Sequence, residues 1–298
     1  MQWAPAYLLI CVIIWGWTFV ATRICLQYLS PVELLGLRFL TGLPLMLLII
    51  AVKSIRFDFT ARERRSVLLG SAVITLHFLI QITGLKYTSA TNTGWIIAIT
   101  PLVMAALAFL LLRERLTGRG VAGIAVATAG VLLLVSRGRL TSLDWLSSFG
   151  DWLILASAHT WALYTIVIRD ITRTRHPLAV TFAVLAPSAL VILGYMSVSS
   201  DWSRLVGLPL DGLVALLFLG VLGLGVAHWF WQEGVARVGA ARAGIYLYLE
   251  PIATTSLAVP YLGEHFGVFT ALGGLMVLGG VYLAEGRLRL FRRRQIPG

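Results

Sequence analysis

GLKYTSATNTGWIIAITPLVMAALAFLLLRERLTGRGVAGIAVATAGVLL, residues 84–133, is echoed 150 positions later by GVARVGAARAGIYLYLEPIATTSLAVPYLGEHFGVFTALGGLMVLGGVYL, residues 234–283. The register has no gap. Gly84 aligns with Gly234, Ala90 with Ala240, Gly94 with Gly244, Pro101 with Pro251, Glu114 with Glu264, Gly123 with Gly273 and Gly130 with Gly280. An offset of 146 relates the preceding segments, where Trp15 aligns with Trp161, Arg23 with Arg169 and Pro31 with Pro177. The chain therefore reads as two copies of one unit, residues 1–140 and 141–290, with a basic tail at 291–298.

The copies are strongly apolar. Of 298 residues, 58% are hydrophobic and 12% charged, against about 25% charged in soluble domains. Mean hydropathy is +0.87. A net charge of +11 would suit a nucleic-acid partner, but the arginines sit in short clusters between apolar runs, where they orient helices. No nucleic acid is expected as a partner. Cys11 and Cys25 lie on one predicted helix and cannot pair there, and no metal or disulfide site is expected. The N-terminus lacks a basic n-region, and no cleavable signal peptide is expected.

Apolar runs long enough to cross about 30 Å of hydrocarbon fall near 5–26, 32–52, 67–86, 91–112, 119–136, 150–168, 178–199, 212–233, 242–262 and 267–285. Strand-like alternation is missing, which argues against a barrel. The expected fold is an all-α membrane protein of ten transmembrane helices, five in each copy. Of the 24 basic residues, only Lys86, Arg137, Arg139 and Arg204 fall in connections on the side opposite the N-terminus, with Arg23 and Arg38 within or at the ends of spans. By the positive-inside rule both termini are cytoplasmic. Five spans per copy is odd, so the second copy enters from the other face and the repeat is inverted.

With these features the chain resembles the drug/metabolite transporter superfamily, EamA type. The resemblance rests on the stretch from Thr88 to Leu134 and its partner from Val238 to Ala284: a mid-span Pro, a Glu closing the fourth span and a Gly-spaced fifth span. It implies a multi-pass protein of the cytoplasmic (inner) membrane that exports amino acids or similar small metabolites, with aromatic-amino-acid exporters the nearest kind. Other branches carry nucleotide sugars or triose phosphates, so uptake or exchange of a nucleoside, a sugar phosphate or a drug-like cation stays open.

Candidate binding residues follow from depth. Trp15, His77, Pro101, His159, Trp161, Glu250 and Pro251 fall near the centres of their spans. A carboxylate there costs about 2.5–3.5 kcal/mol on insertion scales, so Glu250 should face a cavity or a partner. His77 and Gln81 share one helix face, and imidazole can titrate near neutrality or hydrogen-bond a substrate. Trp15, Trp95, Trp161, Tyr164 and Tyr246 offer aromatic surface for an amphipathic solute or its ammonium. For each, core packing or a structural hydrogen bond is the competing reading. His159 and Trp161 are two apart and cannot both face one cavity; Trp161, whose repeat counterpart is also Trp, is placed inward. His228 and Gln232 form a similar polar face placed nearer the cytoplasm, and Arg23, Glu33 and Arg38 are grouped near the outer surface. Pro101 and Pro251 are read as hinges or as a shared kink. Glu114 and Glu264 are read as structural, and the glycines at 120, 123, 130, 273 and 280 as close-packing stripes.

HExxH, GxSxG, Walker A and EF-hand patterns are missing, and no cofactor is expected. An enzyme is not expected, with a membrane-embedded lipid enzyme the more distant alternative. The expected partners are a small-molecule substrate and membrane lipid. Whether a proton is exchanged stays open.

Overall fold

The computed structural model describes residues 3–113, 117–136, 148–202, 207–263 and 267–285. Glu114 and Glu264, and Arg137, Arg139 and Arg204 of the charge count, lie outside them. Among the described residues thirteen α-helices have described bounds: α1 Ala4–Cys25, α2 Pro31–Val52, α3 Ala61–Tyr87, α4 Ala90–Ile97, α5 Thr100–Leu112, α6 Gly118–Val135, α7 Phe149–Thr174, α8 Pro177–Ser199, α9 Leu210–Leu217, α10 Ala227–Val238, α11 Ala240–Tyr246, α12 Glu250–Leu262 and α13 Val268–Glu285. A π-helical segment, Phe218–Val226, joins α9 to α10, and a 3-10 turn, Leu247–Leu249, joins α11 to α12. No strand occurs among the described residues.

Local chemistry sets several helix starts. Ser30 and Glu33 close a capping box on α2, Thr60 and Glu63 on α3, and Ser148 and Asp151 on α7. The box at Thr60 begins α3 a polar turn earlier than its apolar run predicts. At its other end α7 outlasts its apolar run to Thr174, stopping where Pro177 disfavours helical geometry at His176. Arg175 then reaches back to α3, donating from Nε to Glu63 Oε1 and from Nη2 to Glu63 Oε2, each at 2.9 Å.

Among the described residues seven helical stretches are long and apolar enough to cross a membrane: Ala4–Cys25, Pro31–Val52, Ala61–Tyr87, Ala90–Leu112, Phe149–Thr174, Pro177–Ser199 and Leu210–Val238. Of the three other expected spans, Ala240 to Leu262 is interrupted at its 3-10 turn, while α6 and α13 have only 18 residues each. Large apolar side chains point outward, Leu110, Leu190, Val198 and Leu275 being mostly exposed. That pattern suits hydrocarbon rather than water.

The expected mid-span prolines lie at breaks. Pro101 occupies the first turn of α5, after the interruption at Ala98 and Ile99, and Pro251 the first turn of α12. A proline has no N–H for the carbonyl four residues earlier. Thr100 supplies the missing donor, its Oγ1 reaching the Ile97 oxygen at 2.5 Å, and the Glu250 N–H reaches the Leu247 oxygen.

Close packing runs through glycines. α6 lies against α13, α3 against α7, and α1, the most enclosed of the long helices, against α10 and α12. A β-carbon at Gly123 would come within 2.5 Å of the Gly280 carbonyl oxygen, and one at Gly130 within 2.7 Å of the Gly273 oxygen. These backbones touch because no side chain intervenes. Gly123→Val and Gly130→Val are each expected to destabilise the fold by about 1–3 kcal/mol, as overpacking does. Gly274→Ala, where a β-carbon meets nothing within 4 Å, should unfold like the wild type. Thermal unfolding in detergent checks this, and equal effects at Gly123 and Gly274 would refute the tight crossing.

Candidate functional site

A cavity opens where α1, α2, α3, α7, α10 and the broken stretches around Thr100 and Glu250 converge. Its free space is about 40 Å³, room for a water or two. Aromatic rings dominate one part of the wall. Trp15 on α1 and Trp161 on α7 meet edge to face, centroids 4.8 Å apart at 85°. His77 stands 5.1 Å from Trp161, and His228 stands 5.1 Å from Trp15 and 5.6 Å from Trp161. The edge-to-face contacts of Trp15 with Trp161, and of His228 with both, add to what burial alone gives.

The π-helical segment holds part of this cluster in place. Its FLGVLGLGV sequence is glycine-rich, and the Gly223 carbonyl accepts from Trp15 Nε1 at 3.2 Å and from His228 Nδ1 at 2.9 Å. His77 Nδ1 donates to the Ser157 carbonyl at 3.0 Å. A carbonyl can only accept, so both imidazoles carry their proton on Nδ1. A neutral ring then presents Nε2 as an acceptor. His228 Nε2 is buried and has no hydrogen-bond partner, and neither has Trp161 Nε1.

Two charged side chains complete the lining. Glu250, 4% exposed, opens α12, and its carboxylate makes no hydrogen bond or ion pair with any described residue. Arg38, also 4% exposed, comes from the second turn of α2, and its guanidinium lies over the Phe78 ring, 5.2 Å from the centroid. It too has no hydrogen bond or ion pair to a described residue, and its Nε is fully enclosed. Buried charges ordinarily pair, so both side chains ask for a partner.

Of the residues expected from sequence, Trp15, His77, Gln81, Trp161 and Glu250 line the cavity. Tyr164 does not. It stacks behind Trp161 at 5.3 Å and its hydroxyl accepts from Gln232 Nε2 at 3.2 Å. Tyr246 is buried outside the lining. Trp95 faces a separate apolar crevice of about 580 Å³ among residues of α12 and α13. His159 is turned outward, its Nδ1 on the Leu155 carbonyl. The expected outer grouping of Arg23, Glu33 and Arg38 is corrected: Arg23 donates to the Leu85 carbonyl, Glu33 caps α2 at Ser30, and Arg38 points inward. His228, expected nearer one membrane face, also lines the cavity. The signal for Arg38 was a lone cation inside an apolar span, which demands a partner or a cavity as Glu250 does.

The EamA-like transporter family matches residues 2–136 and again residues 148–285. The chain belongs to the EamA-like transporter family. It is a multi-pass membrane transporter and not an enzyme. Among relatives, an uncharacterized transporter of Archaeoglobus fulgidus is 31% identical over 284 residues, covering 92% of this chain and 94% of the relative. A probable amino-acid metabolite efflux pump of Escherichia coli is 27% identical over 297 residues, covering 94% of each. One of Salmonella typhimurium is 25% identical over 308 residues, covering 97% of each. A crystal structure with 18% identity superposes with a TM-score of 0.75, covering 95% of this chain and 98% of the other, which establishes a shared fold.

Within this EamA-type chain Tyr164 separates support from contact. Tyr164→Phe leaves the buried Gln232 amide without that acceptor and should cost about 1–3 kcal/mol. Unfolding in detergent measures it. Flux per folded molecule should stay at wild-type level, and a lost flux with unchanged stability would put the phenol in contact with solute.

Proposed function

We propose that this chain is a secondary exporter of the cytoplasmic membrane, with both termini cytoplasmic. It crosses the bilayer ten times as two inverted five-helix units and moves amino acids or similar small amphipathic metabolites outward by alternating access. The carrying observation is that residues aligned by the internal repeat face one cavity. Trp15 and Trp161 touch across it, and Ile97 with Leu247, Thr100 with Glu250 and Phe78 with His228 all line it.

Packing elsewhere supports a two-fold relation, in which every contact recurs with the copies exchanged. Gly123 meets Gly280 while Gly130 meets Gly273. Gly84 meets Ile154 while Gly234 meets Leu8, and Gly94 meets Thr254 while Gly244 meets Met104. An odd number of spans per copy makes such a relation inverted, with the substrate site near the axis. The salt bridge from Arg175 to Glu63 joins two connections that the charge rule puts on the cytoplasmic side.

Cavity chemistry supports the substrate class. Indole and imidazole rings offer flat amphipathic surface, Glu250 suits an ammonium, and two relatives carry the name amino-acid metabolite efflux pump. Free space of about 40 Å³ is too small for such a solute, so binding must widen the cavity. The interruptions before Pro101 and Pro251 are where the wall can yield, and both prolines are assigned as hinges. The widened cavity takes in Trp15, His77, Gln81, Trp161 and Glu250 as binding residues, with Trp95, Tyr164 and Tyr246 in support.

Proteoliposome flux over a panel of amino acids and nucleosides, with and without a pH gradient, tests the reading. Saturable amino-acid flux with inert nucleosides is expected; nucleoside flux without amino-acid flux would replace the substrate class. Glu250→Gln should lower amino-acid flux by roughly tenfold or more, the worth of a hydrogen bond to a charged group. If a proton is exchanged at Glu250, the variant also loses the response to a pH gradient. Wild-type flux at every pH would remove Glu250 from the mechanism. Trp161→Ala should reorder competition among amino acids, and an unchanged order would make that ring packing alone.

A further inference from the structure

The unpaired cation in the cavity wall calls for an explanation beyond packing. Arg38 sits seven residues into α2, within an otherwise apolar stretch, and is 4% exposed. Leaving a buried charge without a partner is among the costliest arrangements a fold can keep. Nearby carboxylates do not relieve it. Glu33 accepts from the Ser30 N–H at 2.8 Å, Asp211 accepts from the Tyr28 hydroxyl at 2.9 Å, and Glu250 forms no ion pair with it. The backbone scaffold does not require an arginine either. The residue aligned with it by the 146-residue offset is Val184, which is fully buried.

We infer that Arg38 is the anion-binding pole of the cavity and takes the carboxylate of the transported solute, an inference that rests on the transport reading above. The guanidinium carbon lies 5.2 Å from the Phe78 ring centroid, a cation–π contact that uses none of its N–H groups as hydrogen-bond donors to a carboxylate or carbonyl. Those groups form the rigid fork that matches a carboxylate with two parallel hydrogen bonds. Trp161 Nε1, a second buried donor without a partner, belongs to the same lining. The same lining offers acceptors in the Glu250 carboxylate and the Nε2 atoms of His77 and His228. An amine without a carboxylate leaves the Arg38 guanidinium unsatisfied.

Competition against L-phenylalanine flux in proteoliposomes tests this without any substitution. L-phenylalaninamide and phenethylamine keep the ring and the amine but lack the carboxylate, whereas 3-phenylpropionate keeps the carboxylate alone. The amide and the amine are expected to compete at least about tenfold more weakly than unlabelled phenylalanine, with phenylpropionate retaining competition. Arg38→Gln should abolish the preference of acid over amide, while Arg38→Lys, charged but without the fork, should keep part of it. A purely structural arginine would lower competition by acid and amide alike. Melting temperature separates misfolding from lost recognition, and if Arg38→Gln does not fold, the wild-type comparison decides. Phenylalanine flux with equal competition by the amide overturns the assignment of Arg38 and leaves the transport reading standing. No amino-acid flux at all, and no thermal stabilisation by any carboxylate of the panel, overturns both.

Discussion

At the crossing of α6 and α13 main-chain atoms approach one another directly, and a single β-carbon at Gly123 would lie 2.5 Å from a carbonyl oxygen. Helices in hydrocarbon gain little from hiding apolar surface, because lipid is as apolar as leucine. Their association therefore depends on contact close enough for dispersion and weak polar attraction to accumulate. Glycine permits that contact at the crossings of α1 with α10 and α12, of α3 with α7, and of α2 with the π-helical segment. Where these crossings converge, the interior is narrow enough for Trp15 and Trp161 to touch.

Hydrocarbon imposes a second condition, that backbone polar groups be satisfied internally. The interruptions in this fold obey it with unusual partners. Thr100 Oγ1 takes over the Ile97 carbonyl that Pro101 cannot serve, and Trp15 and His228 both donate to the Gly223 carbonyl of the π-helical segment. Helix breaks thereby become anchors for side chains that reach the cavity. An α-helix uninterrupted at Gly223 would not have offered that oxygen to an indole from α1.

Apolar runs and the repeated glycines and prolines made the helical architecture legible in the sequence, because lipid admits few alternatives for twenty apolar residues. Boundaries were less legible. The capping box at Thr60 and the helical continuation to Thr174 belong to polar residues outside the apolar runs. In the site, Trp15, His77, Gln81, Trp161 and Glu250 were found through depth and helix face. Tyr164, Tyr246 and Trp95 share that depth yet look elsewhere, since depth says nothing about azimuth when aromatic residues cover several faces of a helix. Arg38 and His228 were misplaced for the reverse reason. Their helices carry them into the cavity although neither lies at the centre of its predicted span.

Symmetry and asymmetry divide the labour in this chain. Residues that recur between copies, such as Gly123 with Gly273 and Pro101 with Pro251, set crossings and breaks. Residues that line the cavity and lack a like counterpart carry the charge and the titratable groups. Arg38 stands against Val184, His77 against Ala227, Glu250 against Thr100 and His228 against Phe78. On the inverted-repeat reading, a symmetric scaffold would open to either side at similar cost, since exchanging the copies exchanges the two states. The lining breaks that equivalence, because Arg38 comes from the first copy and Glu250 from the second. On the same reading, a solute held between them would feel different groups withdrawn as the cavity opened to one face or the other. Preference between the two states would then depend on what Arg38 and Glu250 hold rather than on the scaffold, and a solute can shift such a balance only by its difference in affinity for the two arrangements.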